Sequence, residues 1–290
     1  MSDAAQEIFA EWSLPLSLTL TILVTAILYV RGWFAIRKTR SAQFHSLRLV
    51  SFLAGLATLW LAIGSPLDGF ADAMLSAHMC EHLLLMSVVP PLLLYGWPVV
   101  PLLRGLPSVV RAVIGPFIRS ASSRRLEHWL VTPLVAWLAM NITFLGWHVP
   151  AAYDFALEHE NWHDFEHICF LGTSILFWWC ILRPWPSARR SKSWGILIYL
   201  ISADIVNTLL SAFLSFCGRP IYPYYSGRPN PLHLTSIDDQ ILGAVIMWVL
   251  GSLAFLIPAV LIAYELIEPK RHTTNSVISS HNSSLFGRRV

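Results

Sequence analysis

The sequence predicts an all-α integral membrane protein, a bundle of seven transmembrane helices. Of its 290 residues, 55% are hydrophobic and 13% are charged, whereas an ordinary soluble domain has about 25% charged residues. Apolar stretches recur along the chain, each close to the roughly 20 residues that a helix needs to cross about 30 Å of hydrocarbon. Because a soluble fold of this size must cover its surface with polar groups, this composition excludes the soluble classes.

Seven segments satisfy this length criterion. In chain order they lie at 14–30, 47–64, 73–95, 130–147, 165–183, 194–217 and 238–264. The first is predicted to stay as a helix rather than act as a signal peptide, because acidic residues precede it and no small-residue cleavage pattern follows. The predicted organisation is an outer N-terminal segment (1–13), a seven-helix transmembrane domain (14–268) and a Ser- and Asn-rich, disordered cytoplasmic tail (269–290).

Basic residues concentrate in every second connection between these spans. Of the 20 Lys and Arg, all but Arg219 and Arg228 follow spans one, three, five and seven. The connection between spans four and five has no Lys or Arg and is instead acidic, with Glu158, Glu160 and Asp164 among its residues. The positive-inside rule therefore predicts the N-terminus outside and the C-terminus in the cytoplasm. The net charge of +3 gives no indication of nucleic-acid binding, and the chain has no glycine-rich nucleotide loop.

Most of the 11 histidines fall on the predicted outer side of the membrane. These are His78, His82, His148, His159, His163, His167 and His233. Histidine at membrane depth is costly unless it is paired or ligated, so the group indicates a functional site. The alternative is that these are interfacial histidines that water solvates.

Span three carries the sharpest pattern, with Met74, His78, His82 and Met86 four residues apart. This spacing predicts one continuous helix face of ligands. Imidazole and thioether groups together suit copper, above all Cu(I), whereas Mg²⁺ and Ca²⁺ prefer carboxylates and carbonyls. The two histidines are the stronger candidates, since methionine in an apolar span also serves as packing. Met79 lies on another face and is interpreted as packing.

The start of span five repeats the arrangement of span three. His163, Glu166 and His167 reproduce the spacing of His78, Glu81 and His82. Two such helices facing each other would form a site with three or four nitrogen ligands, and each glutamate could orient an imidazole. His148 stands just before this region as a further candidate ligand, whereas His159 lies in an acidic loop and is predicted to be solvated.

Span seven opens with a polar turn and continues with small and soft residues. Asp239, Gly243 and Met247 lie four residues apart along one face. Gly243 would allow another helix to approach closely. Met247 could add a thioether ligand or serve as packing.

Three runs, taken together and in order, resemble the membrane-integral CtaG family of bacterial cytochrome c oxidase assembly factors. They are AHMCEHLLLMSVVPPLLLYGWP (77–98), GWHVPAAYDFALEHENWHDFEHICFLGTSILFWW (146–179) and DDQILGAVIMW (238–248). The resemblance covers roughly residues 15 to 265. The family's motifs then fall on His78, His82, His148, His163, Glu166, His167, Asp239, Gln240, Met247 and Trp248.

The resemblance implies a non-enzymatic, multi-pass protein of the bacterial inner membrane. Its partners would be cytochrome c oxidase subunits, a periplasmic copper donor and the lipid bilayer, and its cargo would be copper for the CuA or CuB centre. The predicted metal ligands are His78, His82, His148, His163, His167, Met74, Met86 and Met247. The predicted supporting residues are Glu81, Glu166, Asp239 and Gln240.

Three alternatives stay open from the sequence alone. A b-type haem could use one histidine each from spans three and five, which leaves the second histidine of each pair unexplained. An inward copper transporter needs ligands that continue to the cytoplasmic half, where the candidates are Met86, Met140 and Asp204. Zinc also binds histidine and carboxylate, so a zinc hydrolase is the third alternative.

Overall fold

The computed structural model describes residues 2–118, 120–184 and 193–268, and the predicted tail at 269–290 lies outside this part. All regular elements of the described part are helical. They are α1 (Asp3–Glu11), α2 (Leu16–Arg37), α3 (Ser46–Gly64), α4 (Pro66–Ala73), α5 (Leu75–Leu83), a π-helical segment (Leu84–Val88), α6 (Val89–Tyr95), α7 (Val99–Gly105), α8 (Ser108–Ile118), α9 (Ala121–Leu130), α10 (Pro133–Trp147), α11 (Pro150–Glu158), α12 (Glu160–Leu182), α13 (Trp194–Phe216), a 3₁₀ turn (Pro223–Tyr225) and α14 (Ser236–Ile267).

The all-helical class and the membrane-spanning character are confirmed. Six helical stretches of the described chain are long and apolar enough to cross a membrane, counting Leu75–Tyr95 as one. The fourth predicted span (130–147) corresponds to α10, whose 15 residues extend about 22 Å at 1.5 Å per residue. It becomes a full span only when joined to α9, from which it is bent by 64°. Pro133, at the first turn of α10, favours a new helix start at this bend.

The distribution of polarity is that of a protein surrounded by lipid. Along α2, Leu16, Leu20, Leu23 and Ile27 are each more than half exposed. The interior, by contrast, contains carboxylates and imidazoles. In water this arrangement would be unfavourable, whereas hydrocarbon solvates the apolar exterior.

Span three is broken at two places. Met74 has extended backbone geometry (φ −140°, ψ 127°) between α4 and α5, and the π-helical segment follows α5. The second break has a chemical cause, since Pro90 has no N–H to donate to the Met86 carbonyl four residues earlier. Trp178 on α12 donates its Nε1–H to that oxygen instead, at 2.9 Å. The prediction of one continuous helical face from Met74 to Met86 is therefore wrong.

Glycines set the closest helix crossings. A Cβ on Gly105 of α7 would collide with the carbonyl oxygen of Leu28 on α2. On α14, a Cβ on Gly243 would lie 3.2 Å from Ser76 Cα and from Met79 Cγ on α5. The prediction that Gly243 allows close helix approach is confirmed, and this crossing sets the position of α5.

One end of the bundle, here called the acidic end, consists of α1, α4, α11 and residues 218–235. Hydrogen bonds between chain segments hold it together. The Tyr225 hydroxyl donates to the Ala71 carbonyl (3.0 Å), and the Ser2 hydroxyl donates to the Pro231 carbonyl (2.7 Å). This end covers the starts of α5 and α12.

Candidate metal centre

Two helices, α5 and α12, present the same five-residue pattern, His-x-x-Glu-His, to each other. The patterns occupy 78–82 and 163–167. Because histidines four apart share a helix face, their rings lie 4.1 Å apart on α5 and 4.3 Å apart on α12. Between the helices, the His78 and His163 rings stack with their centres 5.3 Å apart. These four histidines, with Glu81 and Glu166, are called the histidine cluster below.

The cluster offers two overlapping sets of three ligands. The ligand atoms of His78, His163 and His167 lie within 4.8 Å of one another, and so do those of His78, His82 and Glu166. An ion that binds nitrogen or oxygen at about 2 Å would need only small side-chain movements to close either set. His78 belongs to both sets, so a bound ion could exchange between them without leaving this residue.

Each glutamate faces a histidine of the other helix. Glu166 Oε1 lies 3.6 Å from His82 Nε2, and Glu81 Oε1 lies 3.7 Å from His167 Nε2. The sequence predicted that the glutamates orient imidazoles, and the structure places these contacts between helices rather than within one. Glu166 is also close enough to two histidines to ligate an ion itself.

The cluster is buried and its polar atoms lack partners. His78, Glu81 and Glu166 have 0% exposure, and His82 and His167 have 3% and 6%. Among the described residues, both ring nitrogens of His78 and His82 and both carboxylate oxygens of each glutamate lack a hydrogen-bond partner. Burying so many polar atoms without partners is costly. A cation at this point would satisfy several of them together, so the ligands present fit a metal ion.

His148 adjoins this group from the end of α10. Its Nδ1–H donates to the Phe144 carbonyl at 2.7 Å, which leaves Nε2 as the nitrogen with a free lone pair. The His148 ring lies 6.0 Å from that of His82. His148 is therefore at the edge of the cluster. His159 is exposed in the loop between α11 and α12, in agreement with the prediction that it is solvated.

A buried layer of tyrosines covers the cluster, and sequence analysis did not identify it. The Tyr153 ring lies 5.2 Å from His78 and 4.1 Å from Tyr222. The Tyr153 hydroxyl pairs with that of Tyr225 at 3.3 Å, and the Tyr222 hydroxyl donates to the His148 carbonyl at 3.1 Å. The signal available in the sequence was Tyr153, five residues after His148. The direction of its side chain, however, depends on how the acidic end folds.

Asp239 and Gln240 hold neighbouring backbone segments in place through hydrogen bonds. The Asp239 carboxylate accepts hydrogen bonds from the backbone N–H groups of Leu75 (2.7 Å) and Ser76 (3.2 Å). It thereby binds the first turn of α5, one turn before His78. Gln240 accepts from Ile221 N (2.6 Å) and donates to the carbonyl of Leu214 in the last turn of α13 (3.0 Å) and to that of Arg219 after it (3.1 Å).

Two of the three predicted methionine ligands lie together, and the third lies apart from them. Met86 and Met247 line a cavity of about 30 Å³ beside His82 and His148. Met74 lies at the break between α4 and α5, and it is not among the described residues that line this cavity. Met79, interpreted from the sequence as packing, does line it.

An acidic cleft of about 850 Å³ approaches the cluster from the acidic end. Its carboxylates are Asp68, Asp72, Glu158, Glu160 and Asp164, and His163 and His167 also line it. None of the described residues along this cleft is Lys or Arg. Burial, and then the negative charges of Asp72, Asp164 and Glu160, raise the pKa of Asp68 to about 7. The cleft attracts cations and leads to two of the histidines.

Comparison with known proteins places the chain in one family. The family described as "Cytochrome c oxidase caa3 assembly factor (Caa3_CtaG)" matches residues 27–268. "Uncharacterized protein Mb0105" of Mycobacterium bovis and "Uncharacterized protein MT0111" of Mycobacterium tuberculosis are each 29% identical over 255 residues, which cover 84% of this chain. "Uncharacterized protein ML1998" of Mycobacterium leprae is 26% identical over 250 residues.

The chain spans 37% of the length of these curated relatives. No solved structure matches it. The family match covers most of the chain, and the resemblance inferred from the motifs is confirmed. The chain belongs to the cytochrome c oxidase caa3 assembly factor family.

Proposed function

We propose that this member of the cytochrome c oxidase caa3 assembly factor family binds copper, as Cu(I), in the histidine cluster and delivers it to a haem-copper oxidase. Copper is cargo in this proposal, and the protein catalyses no reaction. The observation that carries the proposal is the convergence of ligand atoms of His78, His163 and His167 to within 4.8 Å, with a second set of His78, His82 and Glu166 that shares His78. Membership of an assembly-factor family supplies the recipient.

The overlapping ligand sets suit an ion that must be released again. The cluster has more ligands than one ion needs, and they come from two helices. An ion can therefore gain a new ligand before it loses an old one, which lowers the barrier to transfer. Burial excludes competing water, while imidazole ligands select copper or zinc over Mg²⁺ and Ca²⁺.

The acidic cleft supports delivery on the outer side of the membrane. By the positive-inside rule, the acidic end faces the periplasm of a bacterial inner membrane, where a copper donor and the oxidase's copper domains are accessible. Five carboxylates along the cleft raise the local concentration of cations. His163 and His167 would be the first histidines that an entering ion meets, and His78 would accept it from them.

The geometry favours a single ion over a haem. Haem iron takes one or two axial ligands from the protein, whereas three side chains here point at one position in each set. The His78 ring also lies against the rings of His82, His163 and Tyr153. A Soret band in the purified protein would contradict the proposal.

The test is the copper content of the host oxidase. In cells that lack this protein, the oxidase should lose copper, and the unaltered gene should restore it. The double variant His78→Ala and His82→Ala should not restore it, whereas His128→Ala, in exposed α9, should. Full restoration by the double variant, at equal protein level, would refute the role of the cluster.

A second measurement separates delivery from inward transport. Proteoliposomes that contain the purified protein should not accumulate copper in their lumen. Accumulation that depends on His78 and His82 would instead identify a transporter.

A further inference from the structure

We infer that the chain contains a second Cu(I) site, lined by methionine thioethers and lying deeper in the membrane than the histidine cluster. It consists of Met79, Met86, Met140 and Met247, which line one small cavity. The inference rests on the proposed function in that copper is the cargo, and it adds a separate soft-ligand site to it.

The methionines are concentrated at this point. The whole chain has 6 methionines, and these four come from three different spans to the same cavity. All four are buried, with exposures of 0%, 9%, 3% and 4% in chain order. Packing needs apolar side chains of any kind, and the chain is rich in Leu and Ile. The convergence of four methionines on one cavity therefore points to a role for their thioether groups beyond packing.

Two histidines with unused nitrogens line the same cavity. His82 and His148 are 3% and 5% exposed, and the Nε2 atoms of both lack a hydrogen-bond partner within the described chain. His82 also belongs to the histidine cluster, where it forms a ligand set with His78 and Glu166. It is therefore the link between the two sites.

The ligand set is chemically selective. Thioethers are neutral, soft ligands that bind Cu(I) and leave hard cations to oxygen ligands. No carboxylate is among the described residues that line the cavity, so a divalent ion would lack charge compensation there. The cavity's volume of about 30 Å³ exceeds the least volume that holds one water molecule, about 10–15 Å³. It accommodates a single dehydrated ion.

Hydrogen bonds from other helices fix two of the methionines in place. Trp178 Nε1–H donates to the Met86 carbonyl (2.9 Å), which Pro90 leaves free. Asn207 Nδ2–H donates to the Met247 carbonyl at 3.1 Å. Asn207 can approach because Gly251 has no side chain, since a Cβ there would lie 2.8 Å from Asn207 Nδ2. The backbone of the cavity wall is thus held at Met86 by α12 and at Met247 by α13.

The test is X-ray absorption spectroscopy on the selenomethionine-labelled full chain, purified in detergent and loaded with Cu(I). The selenium edge should show a copper neighbour, which distinguishes methionine from cysteine without any substitution. The triple variant Met86→Leu, Met140→Leu and Met247→Leu should lose this signal and one equivalent of Cu(I). Leucine approximately conserves volume, and Met74→Leu, outside the cavity, is the matched control and should keep both.

Absence of a selenium–copper signal in the unaltered labelled protein would overturn the inference, whether or not the triple variant folds. A signal that survives in the triple variant and disappears in Met74→Leu would overturn it too. The variant His163→Ala and His167→Ala separates the two proposals, because neither residue is among those lining the cavity. It should lose copper from the histidine cluster and keep the selenium–copper signal. Unchanged copper content would contradict copper binding by the histidine cluster and would not bear on the methionine site.

Discussion

The carboxylate of Glu166 on α12 lies 3.6 Å from the Nε2 atom of His82 on α5. The reverse pair, Glu81 on α5 and His167 on α12, lies 3.7 Å apart. Each helix therefore supplies the partner that the other helix's histidine needs. The cluster therefore exists only when both helices are in register.

Removing the carboxyl group of Glu166 should weaken metal binding. Glu166→Gln keeps the shape but removes the carboxyl oxygen that lies beside His78 and His82 as a possible ligand, and loss of such a partner typically costs about 10- to 100-fold in metal affinity. Competition titration with a Cu(I) chelator measures the affinity. Glu127→Gln, on exposed α9, is the control, and equal affinities in the two variants would show that Glu166 does not act on the ion.

Asp239→Asn should destabilise the fold through α5. The Asp239 carboxylate accepts two backbone hydrogen bonds at the start of that helix, and bonds to charged groups contribute about 1.5–3 kcal/mol. The melting temperature in detergent should fall. The neighbouring Asp238 is exposed and accepts from Thr235 within its own turn. Asp238→Asn should therefore have a clearly smaller effect, and a reversed order would contradict the assigned role.

Gly105→Ala should disrupt the packing of α7 on α2. The added methyl would collide with the Leu28 carbonyl oxygen, and overpacking of this kind costs about 1–3 kcal/mol or more. Gly172→Ala, in α12, introduces the same methyl where nothing lies within 4 Å. This control should be neutral or stabilising, by up to about 1 kcal/mol from helix propensity. Thermal unfolding of the two variants in the same detergent makes the comparison.

Cation capture should become faster between pH 6 and pH 8. Burial and three neighbouring carboxylates raise the pKa of Asp68 to about 7, so this group is neutral below that pH and becomes an anion above it. The acidic cleft is then more negative at the higher pH, which increases steering of cations. Stopped-flow measurement of Cu(I) association, compared between the unaltered protein and Asp68→Asn, isolates this contribution. An identical pH dependence in both proteins would exclude Asp68 as its cause.

Sequence patterns predicted the local features of this protein well. The lengths of the apolar stretches predicted the positions of the helices, and the four-residue spacing predicted the paired histidines on α5 and α12. Both features depend on regularities within one segment of the chain. Predictions failed where distant segments decide the outcome. Pro90 leaves the Met86 carbonyl free where the helix takes π-helical geometry, and Trp178, which donates to that carbonyl, is 92 residues away in the chain.

The methionines illustrate the same limit. Met79 was interpreted as packing because it lies off the face that carries His78 and His82. Met79 is indeed buried in the hydrophobic core, but the spacing did not show that it also borders, with His82, the cavity closed by α10 and α14. Tyr153 likewise reaches His78 only because the acidic end folds over the cluster. Such positions depend on packing between spans, and the periodicity along a single span carries no information about that packing.

The central claim is that the histidine cluster holds the cargo metal, and the most direct measurement is the metal content of the purified protein. The unaltered protein, loaded with Cu(I) and freed of excess metal, should retain copper. The folded double variant His78→Ala and His82→Ala should retain less, by at least one equivalent per chain. Unchanged copper stoichiometry in that variant would contradict the account.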